Sequence, residues 1–276
     1  MYRRLFLFGS LVVFTISAPS VQAEDLFPDK KLDGVVRKYV FEKRDNDKPL
    51  TKEDVATIST IQAKNAGITN LAGLEHCRSL ALLTLSGNQI SALKPIAGLE
   101  KLQSLTLKNN KISDLSPLAK LTRLQYLDLS GNEISDLKPV AELVAMRSLY
   151  LSNNKIADLS SLVNLKHLWS LYADHNHITD LTPIAQLTWL SSLDLRSNKL
   201  KNVAPLKNLK DLKHLLLDEN QIADLTVLVE MCVQDRQGPK QFAPYLNIYL
   251  KGNPLSDPAK NQQLPKLRES VRRAEF

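Results

Sequence analysis

Seven asparagines stand at one fixed interval in this chain: Asn88, Asn110, Asn132, Asn154, Asn176, Asn198 and Asn220, each 22 residues beyond the last. Self-similarity at a period of about 20–50 residues marks a chain that stacks one small structural unit on the next. Such a chain is elongated and buries each unit only against its neighbours. Its function is therefore expected on a surface and not in a deep pocket.

The residues around each asparagine hold the same phase. One unit reads Leu102, Leu105, Leu107, Asn110, Ile112, Leu115, Leu118, Leu121, and the next reads Leu124, Leu127, Leu129, Asn132, Ile134, Leu137, Val140, Leu143. The alternation at Leu105 and Leu107 is the period of a short strand with one buried face. Where the chain leaves that strand and turns inward, backbone groups are stranded away from water. A buried carboxamide, with two donors and an acceptor, can satisfy them in its own coil and in a neighbour. The asparagines, with Asn253 as a late member, are thus read as structural. After the strand, Asp114-Leu115-Ser116-Pro117, Asp136-Leu137-Lys138-Pro139 and Asp180-Leu181-Thr182-Pro183 combine a side chain that bends the backbone with a proline preset for a first helical position. Short 3₁₀ turns are expected there, looser or more α-like in the coils of Ser161 and Val227, which lack the proline.

This is the leucine-rich repeat pattern. The expected fold class is an α/β solenoid, with a curved parallel β-sheet on the concave face, short 3₁₀ or α turns on the convex face, and helical caps at both ends. The expected divisions are a signal peptide over 1–23, a helical N-terminal cap over 24–59, about nine coils over 60–255, and a helical C-terminal cap over 256–276. In the first cap, Phe27-Pro28-Asp29 leads into the stripe Leu32, Val35, Val36, Tyr39, Val40, and Thr51 opens a second helix with Asp54 as its capping-box partner. Ile61, Ala63 and Ile68 form a degenerate first coil, with Ala66 in place of the asparagine. From Asn220 to Asn253 the spacing stretches to 33 residues. That insertion predicts an α-helix from about Leu225 to Arg236, broken by Gln237-Gly238-Pro239, then a last coil around Ile248–Leu255 and a terminal helical segment interrupted near Pro265.

The order of signal peptide, Phe-Pro-Asp helical cap and 22-residue coils such as Leu127-Asp128-Leu129-Ser130-Gly131-Asn132-Glu133-Ile134-Ser135-Asp136-Leu137 resembles the internalin-type bacterial leucine-rich repeat family over nearly all of the mature chain. The resemblance speaks strongly for the fold and much less for the ligand.

Arg3 and Arg4, the apolar run Leu5–Ile16 and the small-residue site Val21-Gln22-Ala23 read as an export signal, too short to span a bilayer. Cleavage after Ala23 removes two arginines and no acid, so the net charge of +7 falls by 2 to +5. Lysines and arginines are interspersed with acids along the coils, which argues against nucleic acid. A C-terminal group of Lys260, Lys266, Arg268, Arg272 and Arg273 reads as the solvated face of a capping helix. The two cysteines, Cys77 and Cys232, sit at core positions about seven coils apart. With strands ~4.8 Å apart they are on the order of 30 Å from each other, beyond the ~7 Å reach of a disulfide.

On the concave face the period sorts the outward residues into columns. Tyr126, Tyr150 and Tyr172 fall in three successive coils, beside Asp128, Asp174, Asp194 and Arg196, with Trp169 flanking the same coil and Trp189 on a connecting loop. Tyrosine and arginine are enriched where interfaces concentrate their binding energy, so this is the candidate partner-binding patch. Tyrosines that merely favour strands give the same pattern. Asp174, His175 and His177 lack a third and fourth metal ligand around them, so no metal site and no cofactor are assigned. Nucleophile elbow, phosphate loop and zinc signatures are absent from the sequence. The chain is read as an exported, monomeric, non-catalytic protein that binds another protein through its concave face, without nucleic acid and without a membrane span after cleavage. The second reading is a glycan-binding envelope module using the same tyrosine and aspartate patch.

Overall fold

The structure is a computed structural model that describes residues 25–276; the signal-peptide reading of residues 1–23 lies outside the described residues. Ten short strands form one parallel sheet in chain order: β1 (Thr60–Gln62), β2 (Leu82–Thr84), β3 (Ser104–Thr106), β4 (Tyr126–Asp128), β5 (Ser148–Tyr150), β6 (Ser170–Tyr172), β7 (Ser192–Asp194), β8 (His214–Leu216), β9 (Asn247–Tyr249) and β10 (Arg273–Glu275). Register follows the sequence period, with Leu105 opposite Leu127 and Leu127 opposite Leu149. Each central leucine faces a continuous buried stack that runs from Phe27 to Val271.

The asparagines tie each coil to the one before. Asn132 donates from Nδ2 to the carbonyls of Leu129 (2.9 Å) in its own coil and Leu107 (3.0 Å) in the preceding one, and its Oδ1 accepts from Ile112 N–H at 3.0 Å. The same set recurs at the other ladder positions. It survives the insertion, because Asn253 reaches back to the Leu217 carbonyl at 2.9 Å and accepts from Ile222 N–H at 3.0 Å. In the first coil, where Ala66 replaces the asparagine, Asn88 Oδ1 alone serves the Ala66 and Ile68 amides. The backbone turns left-handed one residue before each ladder asparagine, as at Asn109, Asn153 and Ser197, and at Gly131.

On the other side of each coil lies a 3₁₀ turn, such as Ser116–Leu118 and Thr182–Ile184. Where an aspartate precedes the turn, its side chain fixes it: Asp114 Oδ1 accepts from Ser116 N–H at 2.8 Å and Asp180 Oδ1 from Thr182 N–H at 2.8 Å. The coil of Ser161 keeps the same 3₁₀ turn, Ser160–Leu162, without proline, contrary to the expected loosening. Asp158 caps it at 2.7 Å and Leu162 is fully buried, which suffices. The coil of Val227 does depart from the pattern and becomes a helix, described below.

At the N-terminal end stand α1 (Lys30–Arg37) and α2 (Lys52–Ala56), the latter opened by the Thr51–Asp54 capping box. Asp29 caps α1 with one carboxylate oxygen, accepting from Lys31 N–H (2.9 Å) and Leu32 N–H (3.2 Å). With the other it accepts from the Thr69 and Asn70 amides at 2.8 and 3.1 Å, joining the helix to the first coil. Phe27 is fully buried, its ring resting on Gly73.

The insertion after Asn220 forms α3 (Thr226–Gln237). Its buried Asp235 accepts from the backbone N–H of Gln241, Phe242 and Ala243 at 2.9, 3.1 and 2.8 Å, pinning the following loop under the helix. The closing segment 256–276 is helical only as far as Ser270: a π-helical turn, Ala259–Gln263, runs directly into α4 (Leu264–Ser270), so Pro265 opens α4 instead of interrupting it. Gln263 docks this segment by accepting from Leu225 N–H at 2.8 Å. The chain then adds β10 to the edge of the sheet, a strand that the helical reading of this cap omits.

Candidate functional site

The sheet's open face carries the columns read from the period. Tyr150 lies in register between Asp128 and Tyr172, and Tyr172 between Tyr150 and Asp194. Tyr126 occupies the adjacent column, opposite Ser148. The rings form a ladder: Tyr150 and Tyr172 stack 4.8 Å apart and 8° from parallel, and Tyr126 tilts against Tyr150 at 5.3 Å. All three are half-buried. Burial pushes the Tyr126 phenol up to about 12, helped by the Asp128 charge and Tyr150, and raises Tyr150 in the same direction. Both phenols are therefore neutral donors at ordinary pH.

The carboxylates beside them are turned inward. Asp128 accepts from Ser130 N–H at 3.0 Å. Asp174 accepts from the Ser152 hydroxyl and holds His175 Nδ1 at 2.9 Å. Asp194, only 1% exposed, is gripped by the Arg196 fork, with Nε to Oδ1 at 2.9 Å and Nη2 to Oδ2 at 2.6 Å. That hydrogen bond raises the Arg196 guanidinium above its ordinary value against the opposing effect of burial. The sequence could have announced this pair, since residues two apart on an extended segment share a face. The 22-residue period likewise sets Ser152 beside Asp174 in one column, because the stacking brings neighbouring coils together.

Trp169 stands apart from the tyrosines. It precedes β6 and lines a different cavity with Trp189, Ser191, Asp211, Lys213, Gln241, Phe242 and Tyr245. His175 and His177 flank Asn176, and no group of three or more His, Cys, Asp or Glu side chains suited to a metal ion occurs among the described residues.

Residues 100–142 and 170–208 match the family model for leucine rich repeats in two copies, and residues 123–178 match that for a leucine rich repeat. The solved structure of internalin C2 from Listeria monocytogenes is 34% identical to this chain, with a TM-score of 0.71, over 75% of this chain and 91% of that one. The chain belongs to the internalin family of leucine-rich repeat proteins. An internalin F from the same organism is 24% identical over 91% of this internalin and 96% of its own chain, with a TM-score of 0.45. The same repeat fold recurs in the plant peptide hormone receptor RGFR1 in complex with RGF2, at 20% identity and a TM-score of 0.59, over 74% of this chain and 34% of the receptor. No curated protein matches this internalin in sequence. Among its described residues no helix is long and apolar enough to cross a membrane.

Proposed function

We propose that this internalin is an exported, non-catalytic, monomeric protein that binds a protein partner on the open face of its sheet, centred on Tyr126, Tyr150 and Tyr172. The observation that carries this reading is the ring ladder. Three half-buried tyrosines are held by mutual stacking and by strand register, so they offer aromatic area that loses little rotamer freedom on binding. The inward-turned carboxylates favour a protein over a sugar on this face. Asp128, Asp174 and Asp194 are occupied within the protein and are poorly placed to bind a ring of hydroxyls.

Export rests on the charged, apolar and small-residue order of residues 1–23. Recovery of the protein from native medium and envelope fractions with Glu24 as its first residue supports it, and recovery with Met1 retained in the cell opposes it. For the partner, the full chain and a Tyr150→Ala/Tyr172→Ala variant are compared by biolayer interferometry against proteins captured from the native exterior. A specific partner weakened by about tenfold or more by the double substitution supports the patch. A specific partner bound equally by both places the interface elsewhere.

A further inference from the structure

The 22-residue period places Trp169, Ser191 and Lys213 in one row and His167, Trp189 and Asp211 in another, two residues before it. These rows lie just ahead of the strands, on the rim of the sheet and away from the tyrosine ladder. In the first row the small Ser191 sits between Trp169 and Lys213, which leaves a trough. The insertion then walls its end, because Asp235 holds the amides of Gln241 and Phe242 and so sets Phe242 and Tyr245 against the rim. The result is a cavity of about 270 Å³.

We propose that this cleft binds an uncharged carbohydrate, one or two sugar units of a longer glycan. Three large aromatic residues remain open around a buried Phe242 and Leu212: Trp169 is 58% exposed, Trp189 57% and Tyr245 57%. Trp189 is steadied edge-on by His167 at 4.9 Å. Between the rings lie polar groups that the protein leaves largely uncommitted. Ser191 is only 6% exposed, and its backbone joins the ladder through Trp169 and Lys213. Its hydroxyl has no partner among the described residues, and since no fully buried side-chain oxygen or nitrogen there lacks one, that hydroxyl is reached from the cleft. Asp211 has one long contact, from Gln241 Nε2 at 3.5 Å.

Serine, aspartate, glutamine and lysine together supply donors and acceptors at close quarters, matching hydroxyls that both give and take a proton. The aromatic faces match the apolar C–H face of a sugar ring, as at other small-molecule sites with an apolar lining and a few placed polar groups. Among the lining residues only Asp211 and Lys213 are charged, with opposite signs, and the neighbouring cation Lys210 is turned onto the Phe242 ring at 5.3 Å, so the lining favours neither an anionic nor a cationic ligand. The volume lies just below the roughly 300–1,000 Å³ of ligand pockets, which suits a terminal sugar better than a protein partner.

Trp169 and Trp189 are the only two tryptophans in the chain, so tryptophan emission reports this cleft alone. The full chain is titrated with cellohexaose, chitohexaose and maltohexaose, and with a synthetic peptide mixture of matched length. The expected result is a saturable change in emission with at least one of the oligosaccharides. Affinity should fall about tenfold or more in Trp169→Ala, read from Trp189, and in Trp189→Ala, read from Trp169. Tyr150→Ala/Tyr172→Ala should leave it unchanged, which separates this site from the protein-binding face. Both tryptophans are more than half exposed, so these variants fold, and Ser191→Val provides a second block of the trough. Flat titrations with all three sugars, saturation by peptide alone, or sugar binding indifferent to both tryptophans overturns the proposal.

Discussion

Asn132 shows why one residue type recurs where it does. Its amide satisfies two carbonyls and one N–H in two coils at once, and leaving any of these buried groups unpaired costs about 1–3 kcal/mol. That requirement depends only on the local turn, so it was legible in the sequence. The sheet-face residues were legible in position but not in state. The period placed Tyr126, Tyr150 and Tyr172 on the open face, and the spacings of Asp194 to Arg196 and of Ser152 to Asp174 put those pairs within reach, yet no spacing said that the carboxylates would be turned inward and spent on these partners and on His175. For Tyr126 the state can be measured. Its phenol is pushed from an ordinary 10.0 up to about 12, first by burial. The folded value lies above the unfolded one, so the neutral phenol's contribution to stability is complete below pH 10 and disappears as pH rises toward 12. Tyrosinate absorbance followed through alkaline pH should show a late-ionising phenol that is missing in Tyr126→Phe. A wild type and variant that differ by a phenol ionising near 10 would mean that Tyr126 is solvated.

The turns and caps were read with uneven success, and the reasons are local. The 3₁₀ turn at Ser160–Leu162 forms without its proline because Asp158 and the buried Leu162 set the same geometry. Strand β10 was invisible because Arg273-Ala274-Glu275 offers one small apolar residue and owes its conformation to pairing with β9. The N-terminal cap, by contrast, announced itself through Asp29, whose two oxygens serve α1 and the first coil separately. Replacing Asp29 with alanine should cost about 1–2 kcal/mol, a capping loss augmented by the stranded Thr69 and Asn70 amides. Burial pushes its carboxyl up, but the Thr69, Asn70 and Leu32 amides outweigh it and hold the group below its ordinary 3.8. A depressed folded value means that the contribution is present above the unfolded value and lost as pH falls through the folded one. Urea unfolding of wild type and Asp29→Ala should therefore differ at neutral pH and converge in strong acid. A constant gap across that range would show that the carboxylate charge is not what matters.

A stack of coils bonded only to their neighbours has no contact that couples one end directly to the other, so its two caps should open independently. The two free cysteines are placed to report this. Cys77 lies beside the first turn and Cys232 on α3; both are fully buried, and burial pushes both thiols up to about 12. Each is unreactive until its own end opens. Gly73 sits at φ +102°, and a Cβ there would meet the Leu26 carbonyl and come within 2.5 Å of the Phe27 ring. Gly73→Ala should therefore loosen the N-terminal cap by about 2 kcal/mol, raising the native-state labelling rate of Cys77 by roughly 30-fold. Cys232 should label at its wild-type rate. Asp235→Ala, which frees the Gln241, Phe242 and Ala243 amides, should do the reverse. Peptide mass spectrometry after pulses of a thiol reagent separates the two sites. If either variant accelerates both cysteines equally, the stack opens as one cooperative body, and the nearest-neighbour picture of its stability fails.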